Sequence, residues 1–222
     1  MTTAKLVGYT QPHEDFQSDF TSVLDLVAYC ARVSNPSNQM NSETSERLLN
    51  YLVKHKHWSP FEMASATIEV ETTRDIARQF LRHRSFTFQE FSQRYGNPQD
   101  MGEAFVVREA RLQDTKNRQN SIEVDDTSLE LAWSLRQDAV IKAAKEAYDW
   151  AIENGIAKEQ ARVVLPEGNT KSRLYVQGTI RSFIHYIELR SANGTQKEHI
   201  ELAREIAKAI SKVFPMIEEY VQ

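Results

Sequence analysis

The sequence predicts a helix-rich α+β fold: one domain over residues 1–222, with a small, mostly antiparallel sheet flanked by helices. Three observations carry this. Residues 64–72 alternate apolar and polar, whereas 22–33, 43–55 and 75–81 place apolar residues on one helical face. The elements do not alternate as βαβ units, so parallel pairing is not expected. No linker, internal repeat or low-complexity tract divides the chain.

Taken in order, "KLVGYT" (5–10) reads as a short strand. "SVLDLVAYCARV" (22–33) is helical through Val23, Leu24, Leu26, Val27 and Cys30, and "SNPSNQMNS" breaks it. A second helix at about 43–55 gathers Leu48, Leu49, Leu52 and Val53 on one face. In "ASATIEVET" (64–72), Ala66, Ile68 and Val70 alternate with Thr67, Glu69 and Glu71, the period of a half-buried strand. From Asp75 the period becomes helical, with Ile76, Ala77, Phe80 and Leu81 apolar and Arg74, Arg78 and Arg82 forming a stripe elsewhere. Residues 114–126 read as a polar excursion. Thr127 and Glu130, in capping-box spacing, open a long helix to about Asn154, with Gly155 behind it. A short helix carries "KEQARVVLP", "RLYVQG" reads as a strand, and "TIRSFIHYIELR" (179–190) as a helix; after "SANG", Thr195 and Glu198 open the last one.

Composition excludes several function classes. With 41% hydrophobic and 26% charged residues the chain builds an ordinary core. A net charge of −4 opposes bulk binding to nucleic acid or anionic membranes, which needs a broad excess of cations. A single cysteine, Cys30, excludes an internal disulfide; no secretory signal and no apolar run of membrane-spanning length is present, so the reading is soluble and cytoplasmic.

Against that acidic balance, residues 74–95 hold five arginines (Arg74, Arg78, Arg82, Arg84, Arg94), no lysine, and only Asp75 and Glu90 as acids. Arginine without lysine suits bidentate recognition of phosphate or carboxylate. Arg74 and Arg78 taken alone read as a solvated helix face. Arg82, His83, Arg84 and Arg94 instead flank "SFTFQEFSQ", where hydroxyls, Gln89 and Glu90 are interleaved with Phe86, Phe88 and Phe91. In an extended chain Phe86 and Phe88 point one way and Phe91 the other, which excludes a simple stacking platform for bases. The residues alone support a loop for a small anionic ligand such as a nucleotide; a nucleic-acid-binding module using the same segment is the rival reading.

Arg82-His83-Arg84, seven residues, then Ser92 and Arg94 resembles the signature of the flavin-dependent thymidylate synthases. "HWSPFEM" (57–63) resembles the family's His-x-Ser/Thr-Pro-Phe-Glu box, and "ARVVLP" (161–166), "TIRSFIHYIELR" and Gln196 resemble its later ligand-binding segments in the same order, so the likeness runs from about 20 to 213. Thr87 and Gln89 stand where the family most often has Ser and Asn, and His185 where an Asn commonly contacts flavin.

The resemblance implies methylation of dUMP to dTMP, with methylenetetrahydrofolate as one-carbon donor and hydride passing from NADPH through FAD, without a cysteine nucleophile. Cys30, in an apolar helical pattern, reads as structural. By similarity Ser59, Arg82, His83, Arg84, Glu90, Thr179, Ile180, Arg181 and His185 serve the flavin. Gln79, Arg82, Glu90, Phe91, Ser92, Gln93, Arg94, Arg162 and Arg190 serve the nucleotide, and His57 contacts folate or flavin. Arg190 would be catalytic, its fixed charge polarising the uracil ring beside N3. No metal is implied. The likeness further implies a homotetramer with active sites shared between subunits.

Overall fold

The computed structural model describes residues 2–16, 20 and 22–222. The N-terminal strand is β1 (Thr3–Tyr9), the alternating stretch is β2 (Ser65–Thr73), and β3 (Thr87–Glu90) lies inside the arginine segment. The polar excursion at 114–126 contains β5 (Ser121–Glu123), which pairs with β4 (Arg111–Gln113) just before it as a two-stranded hairpin that the sequence reading did not include. "RLYVQG" is the centre of the longer β6 (Lys171–Thr179). The main sheet has the order β1-β2-β6-β3 and is antiparallel throughout.

One face of this sheet makes the core. Ile68 and Val70 of β2 stand opposite Val176 and Leu174 of β6, and all four are buried. The other face carries polar cross-strand pairs, Arg173 Nε to Glu71 at 2.8 Å and Tyr175 to Glu69 at 2.8 Å. That division is what the period-2 pattern specifies.

Among the described residues seven α-helices follow the apolar periods: α1 (Val23–Ala31), α2 (Ser45–Lys54), α3 (Arg74–Phe80), α4 (Thr127–Glu153), α5 (Lys158–Ala161), α6 (Ile180–Ser191) and α7 (Lys197–Ser211). Phe80 of α3, Phe183, Ile184 and Ile187 of α6, and Leu202, Ala203, Ile206 and Ile210 of α7 close over the sheet. Each large side chain contributes about 1.5–3 kcal/mol by leaving water. Two caps differ from the sequence reading. Asp126, not Thr127, caps α4 by accepting from Ser128 and Leu129 N–H, while Glu130 accepts from Ala110 N–H instead. Gln196 takes the cap position of α7, and Thr195 makes no capping box with Glu198.

α4 buries only Gln137, Ala144, Tyr148 and Ala151, leaving Leu131, Trp133, Leu135 and Trp150 exposed. Among the described residues no helix is long and apolar enough to cross a membrane.

The end of α2 shows how the "HWSPFEM" box is set in place. Lys56 has φ 58°, its N–H donates to Val53 O and that of His57 to Leu52 O, a Schellman motif with lysine where glycine is usual. The left-handed conformation costs a lysine roughly 1 kcal/mol. Lys56→Gly is expected to raise stability by about 0.5–1 kcal/mol, partly offset by the freer unfolded chain; a chemical-denaturation midpoint that stays or falls counts against this strain.

Candidate active site

β2 runs directly into α3, and this junction turns the first arginine inward. Arg74 is only 9% exposed, so it is not on a solvated face as its stripe suggested. Its Nη1 donates to Glu90 Oε1 at 3.2 Å, and Ser172 Oγ donates to the same oxygen at 2.8 Å. Glu90 gives this buried guanidinium a partner of opposite charge, whose removal would be strongly destabilising. Glu90 is thus held from α3 and from β6 at once. Arg78 is exposed and pairs with Glu167.

Beyond β3 the chain turns at Ser92, whose carbonyl accepts from Tyr95 and Gly96 N–H. Phe91 packs its ring against Gly96. Arg94 pairs with Glu159 at 3.2 Å, and Lys158 Nζ donates to Tyr95 O, so the turn is tied to α5. Between them lies a cavity of about 350 Å³ lined by Arg74, Arg78, Gln93, Glu159, Arg162 and neighbours. Gln93 is 4% exposed, yet its Nε2 has no partner among the described residues. A buried donor left unpaired costs about 1–3 kcal/mol.

The signature meets the end of α6. Arg190 Nε donates to His83 Nε2 at 2.9 Å, with the rings of Tyr186 and His83 edge to face at 5.0 Å. To accept, His83 must be neutral. Burial first, then the charges of Arg190 and Arg82, push it down to about 4; burial, then Arg190 and His83, push His199 behind it to about 3. Both histidines titrate near 6.5 in the unfolded chain, which therefore binds more protons below that pH. Their contribution is complete above about pH 6.5 and is lost as pH falls toward 4 and 3. The denaturation midpoint is expected to drop already between pH 6.5 and 5, above the usual carboxylate range, and less so in His199→Asn; a flat profile there would contradict the burial of neutral imidazole.

At the other end of α6, Thr179 caps the helix by accepting from Ser182 N–H, and Ser182 Oγ donates to Ser85 O, linking the cap to the signature loop. Arg181 pairs with Glu62 at 2.7 Å, and His185 stands edge-on to Trp58 at 4.6 Å. Burial, then Arg181, holds the His185 imidazole below its ordinary range. Ile180 is in the core with its N–H donated to Ala64 O. Ser59 and His57 are exposed.

One chain therefore joins the sequence-selected residues in three groups: Arg162 and Gln93 at the cavity beside Arg94, His83 with Arg190, and Thr179, Arg181 and His185 by the "HWSPFEM" turn. Arg82 and Arg84 stand exposed apart from these contacts. Arg74, Arg78, Arg94 and Arg181 pair with carboxylates, whereas Arg82, Arg84, Arg162 and Arg190 pair with none among the described residues. Four uncompensated guanidinium groups suit anionic ligands. Sequence reasoning missed Ser172, Tyr186 and His199. The signal for His199 was its place on the apolar face of α7, three and four residues before Leu202 and Ala203.

The sequence family described as thymidylate synthase complementing protein matches residues 18–216. The probable flavin-dependent thymidylate synthase of Paramecium bursaria Chlorella virus 1 is 47% identical over 215 residues, 97% of this chain and 96% of that protein. The flavin-dependent thymidylate synthase of Synechocystis sp. is 43% identical over 213 residues, 96% of each. Among solved structures, the UMP/dUMP methylase PolB of Streptomyces cacaoi bound with 5-Br dUMP superposes with a TM-score of 0.79 at 29% identity, over 99% of this chain and 94% of that one. A match of this extent, over a chain that keeps the arginine signature on the same kind of fold, places the protein in one family: the chain belongs to the flavin-dependent thymidylate synthases.

Proposed function

We propose that the protein methylates dUMP at C5 of the uracil ring, with methylenetetrahydrofolate as one-carbon donor, NADPH as reductant and FAD as the hydride carrier. The observation that carries this is the cavity lined by Arg74, Arg78, Arg162 and Gln93, beside the turn that carries Ser92 and Arg94. Arg94, Arg162, Ser92 and Gln93 hold the nucleotide phosphate. Phe91 packs the turn that presents them, while Gln79, Glu90 and Arg82 fix the rest of the nucleotide.

Arg190 stands at the uracil. Held through Nε by neutral His83, it keeps its remaining donors in a fixed plane, where a cation favours loss of the N3 proton and makes C5 nucleophilic without a thiol. Arg82, His83, Arg84, Arg181, Ser59, Thr179, Ile180 and His185 line the flavin, and the unpaired guanidinium groups of Arg82 and Arg84 fit its pyrophosphate. FAD bound there supplies hydride transfer. His57 lies where folate or flavin approaches. The site is completed in a homotetramer: the exposed Leu131, Trp133, Leu135 and Trp150 of α4 are the apolar surface that subunits bury, and the free cations gain their ligands between subunits.

Cys30 takes no part. It is half-buried on α1 with its thiol pushed up by burial, the reverse of what a nucleophile needs. Cys30→Ala is expected to keep activity within about twofold of the parent, since one lost contact on a half-buried side chain costs little; a folded but inactive variant would revive a thiol route.

The test of the function is the visible spectrum of the purified protein and its anaerobic bleaching by NADPH, followed by thymidylate formation from dUMP and methylenetetrahydrofolate. Flavin bands whose bleaching is faster with dUMP, and product formation, support the assignment. A colourless protein that takes up no FAD, or one that forms no thymidylate, refutes it.

A further inference from the structure

The contact that buries Arg74 uses a small part of its guanidinium. The side chain is 11% exposed and meets Glu90 end-on, Nη1 to Oε1 at 3.2 Å, without the second parallel bond of a fork-on-fork pair. Its remaining N–H groups have no protein partner among the described residues. Nor are they sealed off: the buried side-chain nitrogens left without a partner belong to Gln93, Arg108 and Arg111, and none to Arg74. An arginine this deep with open donors has room for a second acceptor.

Glu90 is anchored in a way that allows this. Its Oε1 also accepts from Ser172 Oγ at 2.8 Å, a residue of β6 that is itself buried. The root of Arg74 is held as firmly, since its backbone N–H donates to Thr170 O at 2.9 Å where β2 passes into α3. Arg74 can therefore serve another anion without leaving the first. The cavity of about 350 Å³ that it lines with Gln93 and Arg162 offers the place. The other paired arginines nearby are differently situated: Arg78 and Arg94 are each 56% exposed, and so are about half of Glu167 and Glu159, their partners. Water and salt screen those charges, whereas the field of a nearly buried guanidinium is weakened less.

We propose that Arg74 is a phosphate-binding residue of the nucleotide site: one nitrogen stays on Glu90, and the edge that Glu90 does not take donates to the phosphate in the cavity. This rests on the reading of that cavity as the seat of the dUMP phosphate. Arg74 joins the phosphate to Glu90, a second nucleotide residue, and so makes the protein select the phosphorylated nucleotide over the free nucleoside.

Removing Arg74 alone would strand the charge of Glu90, so the experiment removes both charges together. It compares flavin-loaded Glu90→Gln with flavin-loaded Arg74→Met/Glu90→Gln; the glutamine keeps an acceptor for Ser172, and the methionine fills the space of the arginine stem. The two proteins should melt alike and carry equal flavin. The dissociation constant for dUMP is expected to be about 10–100-fold higher in the double variant, the loss of a charge-assisted hydrogen bond, and that for deoxyuridine, read by competition, to change less than about twofold. Because the carboxylate is absent from both proteins, a role confined to pairing Glu90 predicts no difference between them. Arg74→Lys in the otherwise unaltered chain keeps a cation beside Glu90, yet should bind dUMP about threefold to tenfold more weakly than the parent, since an ammonium lacks the planar fork that spans two acceptors.

A double variant that binds dUMP as tightly as Glu90→Gln, or that loses dUMP and deoxyuridine to the same extent, overturns the proposal, as does an Arg74→Lys protein that binds dUMP like the parent. Should the unaltered protein bind no dUMP yet melt higher in inorganic phosphate, with a smaller rise in the double variant than in Glu90→Gln, Arg74 stands as an anion ligand and the nucleotide reading falls. A parent that responds to neither probe overturns both.

Discussion

Arg190→Ala is expected to fold, to retain its flavin, and to form thymidylate about 10²–10³-fold more slowly, the usual cost of removing a preorganised charge from a transition state. The reason is geometric. Arg190 sits in the last turn of α6 with no carboxylate partner among the described residues, and its one fixed contact is the bond from Nε to His83. A neutral acceptor orients the guanidinium without neutralising it, so the full charge stays available for the uracil ring. If Arg190 served only the dipole of α6, its loss would cost about 0.3–1 kcal/mol of stability and leave turnover intact. Arg190→Lys separates these cases further. An ammonium keeps the charge but cannot donate to His83 and hold a planar fork together, so it should recover only a fraction of the rate. Steady-state thymidylate formation, read beside flavin content, decides between them; normal turnover in Arg190→Ala removes this residue from the mechanism.

What the sequence revealed of this site depended on whether a residue's partner lay within its own element. Ala66, Ile68 and Val70 announced β2 because one face of the sheet is buried and the other is not, and the opposed directions of Phe86 and Phe91 followed from strand geometry alone. Phe86 and Phe88 both reach Phe80, while Phe91 packs on Gly96. The hairpin β4–β5 escaped notice because both of its faces meet water, so Leu112 and Ile122 create no alternation against a core. Arg74 looked solvated because its carboxylate lies 16 residues further on and reaches it only through the pairing of β3 with β6. The His83–Arg190 contact spans 107 positions, and the Tyr186–His199 bond joins two helices. Periodicity reports which face is buried; it carries no information about which polar group on another element waits there. The displaced caps at Asp126 and Gln196 have a smaller cause, since the chain enters each helix one position away from the expected start, with Asp126 accepting at α4 and no side-chain cap bond at α7.

Gly178→Ala is expected to lower stability by about 3 kcal/mol, or Tm by roughly 10 °C, and to weaken flavin and dUMP binding together. Gly178 lies in β6 opposite Ala66, one residue before the Thr179 cap. A methyl group there would stand 2.6 Å from Cε1 of Phe86 and closer still to Cδ1. The ring has no room to retreat, because Phe183 lies 4.8 Å from it, Phe80 5.6 Å and Tyr186 5.9 Å. The displacement must pass into the backbone, and Phe86 N–H is bonded to His83 O at 3.2 Å, in the turn that carries Arg82, His83 and Arg84. One methyl on a core strand is thereby converted into movement of the arginine signature and of the His83 that holds Arg190. The glycine is a seat for an aromatic ring, so a smaller side chain at 86 should relieve the damage: Phe86→Leu alone loses packing, but combined with Gly178→Ala it should recover part of both stability and binding, a coupling readable as a double-mutant cycle. Strictly additive losses in that cycle, or a Gly178→Ala protein that melts and binds like the parent, would show that the signature loop does not depend on this contact.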